Sequence, residues 1–180
     1  MTRNLNDRMI SSVQVRLAEL DDAKSITTVI NAAFRRAEGF FIDTDRIDVE
    51  CVLNCLDTGK FLLAENEGVL LGCVYVEPHP LHHGRPQTHQ QDRAYLGLLA
   101  IDPEHQQSGL GSGLMDAAED YCRGLSCRFM DIQVVNLREE LPDFYRRRGY
   151  VETGTSPFPT DVETKLPCHF IDMSKPLRDE

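Results

Sequence analysis

The sequence predicts an α/β domain built around a mixed β-sheet, and three observations carry that expectation. Segments with apolar residues at alternate positions and segments at helical spacing follow one another as strand, two helices, three strands, helix, strand, helix and two strands. The chain has 180 residues, 41% hydrophobic and 27% charged, which suits one domain with a full core. Glycines at 109, 111 and 113 stand where a strand turns into a helix, and glycine there suggests that something needs bare backbone.

In chain order, "SVQVRLAEL" (12–20) alternates through Val13, Val15 and Leu17 and reads as the first strand. Asp21 or Asp22 then caps a helix with Ile26, Val29, Ile30, Ala33, Phe34 and Ala37 on one face, ending near Gly39. "DTDRIDVECVLNCLDTG" (43–59) is a second helix, capped by Asp43, Thr44 or Asp45 and stopped by Gly59. "KFLLAENEGVLLGCVYVEP" (60–78) is a hairpin turning at "ENEG".

A polar loop (78–92) holding four of the six histidines leads into the strand "RAYLGLLAIDP" (93–103). The helix after it starts at Gly109 or Ser112 and buries Leu110, Leu114, Ala117, Ala118, Tyr121, Cys122 and Leu125. "FMDIQVV" (129–135) is the next strand. "LREELPDFYRRRG" (137–149) is a short helix with Pro142 in its first turn and Gly149 as its C-terminal cap. "YVETG" (150–154) and "CHFIDMSKPL" (168–177) complete the strands. No internal repeat divides the chain, so residues 1–180 are expected to form a single domain.

A net charge of −10 argues against general affinity for nucleic acid or anionic membranes. Six cysteines without any C-x-x-C pair, most of them among apolar residues, read as buried free thiols, which fits a reducing compartment. The first residues contain no apolar run of signal-peptide type, and no window reaches the length of a membrane span. A cytoplasmic location is therefore expected. "HPLHHGRPQTH" (79–89) has no metal-ligand spacing, so no metal is expected.

A strand, a glycine turn and a helix N-terminus together make an anion site, since unpaired N–H groups and the helix dipole converge there. A Walker loop would need glycine at 114, and a dinucleotide fingerprint would need it at 114 or 116; Leu114 and Asp116 stand there. "QQSGLG" (106–111) does match Q/R-x-x-G-x-G/A. With its setting "LLAIDPEHQQSGLGSGLM" (98–115) and the later "FYRRRGY" (144–150), the chain resembles the GNAT superfamily of acetyl-CoA-dependent N-acetyltransferases, and the element order agrees over nearly all 180 residues.

That resemblance implies a mostly antiparallel sheet of about seven strands with about four helices and splayed central strands. It implies acetyl-CoA as co-substrate and an acetyl transfer to a primary amine in a ternary complex. Leu99, Ala100 and Ile101 would pair through their main chain with the pantetheine arm. Gln106, Gln107, Ser108, Gly109, Leu110, Gly111 and Ser112 would surround the pyrophosphate. Gln106 and Ser108 stand where relatives often have arginine, so the backbone carries more of that contact. Tyr145 matches the tyrosine that protonates the leaving thiolate, or else is a core residue of its helix. Asn136 matches an asparagine on the cofactor arm, or else is a surface turn residue.

The family's usual strand glutamate is replaced by Gly97, with Tyr95 on the same face of the strand. The base must come from Glu77, from His79, His82 or His83, or from a water chain. Arg146, Arg147 and Arg148 read as a solvated helix face. Phe34, Phe40 and Phe41 belong to the acceptor pocket or to the core. A small-molecule amine is the expected acceptor. A non-catalytic acyl-CoA-binding module and an acetyltransferase acting on protein termini or lysines are the alternatives, and assembly as a homodimer stays open.

Overall fold

A computed structural model describes residues 13–78, 92–106 and 108–177. Its seven strands form one sheet in the order β1-β2-β3-β4-β5-β7-β6. These are β1 (Gln14–Leu17), β2 (Lys60–Asn66), β3 (Val69–Pro78), β4 (Arg93–Ile101), β5 (Phe129–Val135), β6 (Val151–Pro157) and β7 (His169–Pro176). Only β4 and β5 run parallel; every other neighbouring pair is antiparallel. Four helices complete the fold: α1 (Ala23–Glu38), α2 (Val49–Thr58), α3 (Leu110–Gly124) and α4 (Glu140–Arg147). Architecture and element order agree with the sequence reading.

The sheet is covered on both faces. Ile26, Val29 and Ile30 of α1 and Val52 of α2 pack with Phe61, Leu63 and Cys73 on one side. Leu114, Met115, Ala118 and Cys122 of α3 pack with Leu62, Val74, Leu96 and Met130 on the other. Alternation along β2 and β3 sends successive apolar residues to opposite cores, which is why both strands read as nearly continuous apolar runs. Among the described residues no helix is long and apolar enough to cross a membrane.

Local details depart from expectation where neighbouring residues offered competing caps. Asp48 caps α2, its Oδ1 accepting from the Cys51 N–H at 2.7 Å, so residues 43–47 form a loop rather than a helix start. Asp22 precedes α1 without bonding its N–H groups; its carboxylate is held instead by Arg16 at 2.7 Å. On α3, Met115 and Glu119 are buried, whereas Leu125 lies past the helix end and is 43% exposed.

Glu119 is buried with partners. Lys175 Nζ stands 2.7 Å from its Oε2, and the Tyr150 hydroxyl donates to Oε1 at 3.2 Å. These contacts tie α3 to β7 and to Tyr150, the residue just before β6.

Candidate active site

The parallel neighbours β4 and β5 pair only through Arg93, Ala94 and Tyr95 against Phe129, Met130 and Asp131. Beyond Tyr95 they part, and that edge of β4 keeps N–H and C=O groups without a strand partner. Side chains set where the split begins. The Arg93 guanidinium grips the Asp131 carboxylate with two nitrogens, one at 2.6 Å, and also donates to Ser174, fastening the closed end. At the open end Asn136 exchanges two bonds with the His169 backbone, at 2.8 and 3.0 Å, drawing β5 toward β7. Within β4 a bulge falls opposite Cys73–Tyr75, and Leu98 adopts φ +49° there. A bulge adds local twist, which turns the second half of β4 away from β5.

A cleft of about 720 Å³ opens at the split, lined by α1, β4, the loop before α3, β5 and α4. At one end lies the glycine loop. Gly109 precedes α3 in the left-handed conformation, φ +83° and ψ −3°. The first helical bond runs from Gly113 N–H to the Gly109 carbonyl at 3.0 Å, which leaves the N–H groups of Leu110, Gly111 and Ser112 without helical acceptors. The loop's own side chains turn back on it: Gln106 Nε2 donates to the Ile101 carbonyl at 3.4 Å, and Ser108 Oγ to the His105 carbonyl at 2.6 Å. Gln107 lies outside the described residues. These amides and the helix dipole fit a pyrophosphate, and the open edge of β4 fits an arm rich in amides.

Leu99 and Ile101 line the cleft, while Ala100 turns into the core beneath α1. Tyr145 also lines it, 9% exposed and edge-on to Phe144 and Tyr150. Burial above all, with Tyr95 adding to it, pushes its phenol up to about 12. Its hydroxyl is therefore protonated throughout the neutral range and is a competent donor.

Other sequence candidates fall elsewhere. Asn136 does not line the cleft; its Oδ1 is taken by the His169 N–H. Glu77 pairs across the strands with Tyr95 and accepts from the Tyr75 hydroxyl at 3.4 Å, but it too is not a cleft-lining residue. His79, His82 and His83 lie outside the described residues. Phe34 lines the cleft, Phe41 is fully buried and Phe40 is 53% exposed. Arg146 pairs with Asp143 and Glu152, and Arg148 with Asp116.

Gly97 has a steric meaning. A Cβ at this position would lie 2.8 Å from Cε1 and 2.9 Å from the hydroxyl oxygen of Tyr95. The Tyr95 ring occupies the space that a side chain at 97 would need.

The cleft also holds four charged residues that sequence reasoning did not single out: Arg36 and Glu38 near the end of α1, Arg46 in the loop before α2 and Arg138 before α4; Arg36 donates to the Pro103 carbonyl at 3.3 Å. Glu38 is only 8% exposed, and burial raises its carboxyl against the opposing pull of Arg46 and Arg138. One local signal was legible, since a glutamate in the last turn of a helix faces the negative end of the dipole.

Comparison with known proteins agrees with this geometry. Residues 25–150 match the model of the acetyltransferase (GNAT) family. An amino-acid acetyltransferase of Aliivibrio fischeri is 24% identical over 151 residues, which cover 84% of this chain and 29% of that protein; the match thus spans less than a third of that relative's length. The S-alkylcysteine N-acetyltransferase of Bacillus subtilis is 24% identical over 75% of this chain and 76% of its own. Among solved structures, yncA of Salmonella typhimurium, determined with its cofactor acetyl-CoA, superposes with a TM-score of 0.72 at 18% identity, covering 94% of this chain and 96% of that one. The ribosomal-protein-alanine N-acetyltransferase of Brucella melitensis gives 0.71 at 18% identity, over 91% and 99%. The chain belongs to the GNAT family of acetyltransferases, and acetyl-CoA is the co-substrate that fits it.

Proposed function

We propose that this chain transfers the acetyl group of acetyl-CoA to a primary amine of a small molecule, by direct attack with both reactants held in the cleft. One observation carries the reading: the unpaired edge of β4, the free amides at the start of α3 and the Tyr145 hydroxyl all face one cavity. Direct transfer needs two reactants oriented together, and a cleft between splayed strands supplies that positioning.

Acetyl-CoA, once bound, supplies an activated thioester. The amides of Leu110, Gly111 and Ser112 hold its pyrophosphate, with no loop arginine to assist. The main chain of Leu99, Ala100 and Ile101 orients its arm, and a backbone N–H there polarises the carbonyl. The Tyr145 hydroxyl gives its proton to the departing sulfur and regains one from the attacking nitrogen, so that no free thiolate has to leave. The Aliivibrio and Bacillus relatives are named for small acceptors, an amino acid and an S-alkylcysteine, which supports a small molecule over a protein.

Calorimetric titration with acetyl-CoA, CoA and ATP tests the reading. Binding of the first two without ATP is expected, followed by acetyl transfer in an amine screen. Failure of both CoA species to bind would refute it.

A further inference from the structure

Two opposite charges, Glu38 and Arg46, face the cleft near the end of α1, and neither has an ion pair within 4 Å among the described residues. The Glu38 carboxylate, 8% exposed, has no hydrogen bond or ion pair within 4 Å among the described residues. The Arg46 guanidinium has no ion pair there either; it lies over the Phe34 ring, 5.2 Å from its centre. Arg138 spends Nε on Glu140 at 2.6 Å, which leaves its two terminal nitrogens for the cleft. A buried charge without a partner is costly and is seldom kept for structure alone. The contrast is within the molecule: Glu119, also buried, is satisfied by Lys175 and Tyr150. Charges held apart on one wall of a cavity suit a ligand that bridges them.

We propose that Glu38 takes the proton from the acceptor's ammonium group, and that Arg46 and Arg138 bind a carboxylate on the same acceptor. The acceptor is then a zwitterion of the α-amino acid type. This rests on the acetyltransferase reading of the cleft and adds to it the acceptor's chemistry and the missing base.

The step balances. The ammonium arrives with three protons and gives one to the Glu38 carboxylate. The neutral nitrogen forms the N–C bond as the C–S bond breaks, and its second proton passes through Tyr145 to the sulfur. An N-acetyl amino acid and CoA thiol leave, and Glu38 returns its proton to water. The charged groups facing Glu38 from neighbouring elements are Arg46 and Arg138. Burial holds its carboxyl above the ordinary range in spite of them, which moves a base toward working pH. At position 97 of β4 a side chain would compete with the Tyr95 ring for space.

The test uses the whole chain with acetyl-CoA and follows thiol release over the standard L-amino acids, their carboxamides and the matched amines without a carboxyl group. At least one free amino acid is expected to be acetylated, and its carboxamide at least ~10-fold less well, the worth of one charge-assisted contact. Glu38→Gln should lower kcat by ~10²-fold, remove the acid limb of the pH profile and leave acetyl-CoA affinity unchanged. Its melting temperature should not fall, because an unpaired charge is removed. Arg46→Met and Arg138→Met should raise KM for the amino acid, with little effect on kcat or on the carboxamide. Carboxamides or plain amines used equally well would overturn the proposal, as would a wild-type pH profile in Glu38→Gln or a panel wholly inert while acetyl-CoA binds. Loss of acetyl-CoA binding in the unmodified chain is a separate outcome that removes both readings.

Discussion

Gly109 and Gly113 belong to one loop-helix junction, and the structure predicts opposite responses to alanine. Gly109 sits at φ +83° with open space around a would-be Cβ. Gly109→Ala therefore clashes with nothing and meets only the backbone penalty, ~1–2 kcal/mol for an L-residue in the left-handed region. If the loop keeps its shape, that lowers the melting temperature by ~2–8 °C for a chain of this size. If the loop relaxes instead, the penalty returns on binding as a ~5–30-fold loss of acetyl-CoA affinity.

Gly113 is helical, also has nothing within 4 Å of a would-be Cβ, and its N–H bonds to the Gly109 carbonyl. Alanine there keeps the bond and removes the unfolded chain's extra freedom, a gain of ~0.4–1 kcal/mol. Its melting temperature should rise by ~1–4 °C with affinity unchanged. Differential scanning fluorimetry and calorimetric titration of both variants decide the matter. The reasoning fails if Gly109→Ala changes neither quantity, or if Gly113→Ala does as much harm.

Two further variants probe the site and the frame. Tyr145→Phe should lower kcat by ~10²-fold or more while leaving acetyl-CoA affinity nearly intact; equal loss in both would make the residue a packing element. Because the fold lifts this phenol from 10.0 to about 12, below pH 10 both folded and unfolded chains keep the proton. Above it the unfolded chain ionises first, so stability falls from pH 10 upward, and Tyr145→Phe should lose less over that range in alkaline melts. Glu119→Ala strands Lys175 and the Tyr150 hydroxyl in the interior. It should cost ~3 kcal/mol in urea unfolding, at the low end for a buried pair because Lys175 keeps partial exposure. A cost below ~1 kcal/mol would show that water replaces the pair.

Much of the frame was readable before any coordinates because it is local. Period-2 runs, a hairpin turn at Glu67 and Gly68 and helical stripes each fit within one segment, and their order fixes the class of fold. Boundaries were less readable where several capping residues crowd together, as before α2, where Asp43, Thr44 and Asp45 were the candidates and Asp48 is the cap. The site divides in the same way. Gly109 and Tyr145 sit inside contiguous motifs and could be picked from the letters. Glu38, Arg46 and Arg138 come from three separate segments, and only the folded chain sets them against one cavity. Asn136 illustrates the reverse: its position matched a motif, yet the fold uses its amide to tether β5 to β7.

The empty position on β4 and the charge on α1 are two views of one arrangement. A side chain at 97 and the Tyr95 ring compete for the same space, so β4 offers a tyrosine edge where relatives often present a carboxylate. The opposite wall belongs to α1, whose last turn is a poor place for a glutamate on electrostatic grounds. Glu38 nonetheless stands there, buried, with no hydrogen-bond or ion-pair partner among the described residues and within the field of two arginines. If Glu38 were merely structural, an ion pair like that of Glu119 would be expected, and among the described residues there is none. On the proposed assignment the proton acceptor and the acceptor-binding charges share one wall, while β4 and α3 keep the CoA side. Base and acceptor specificity would then change together when α1 and its following loop change, and the CoA side could stay as it is.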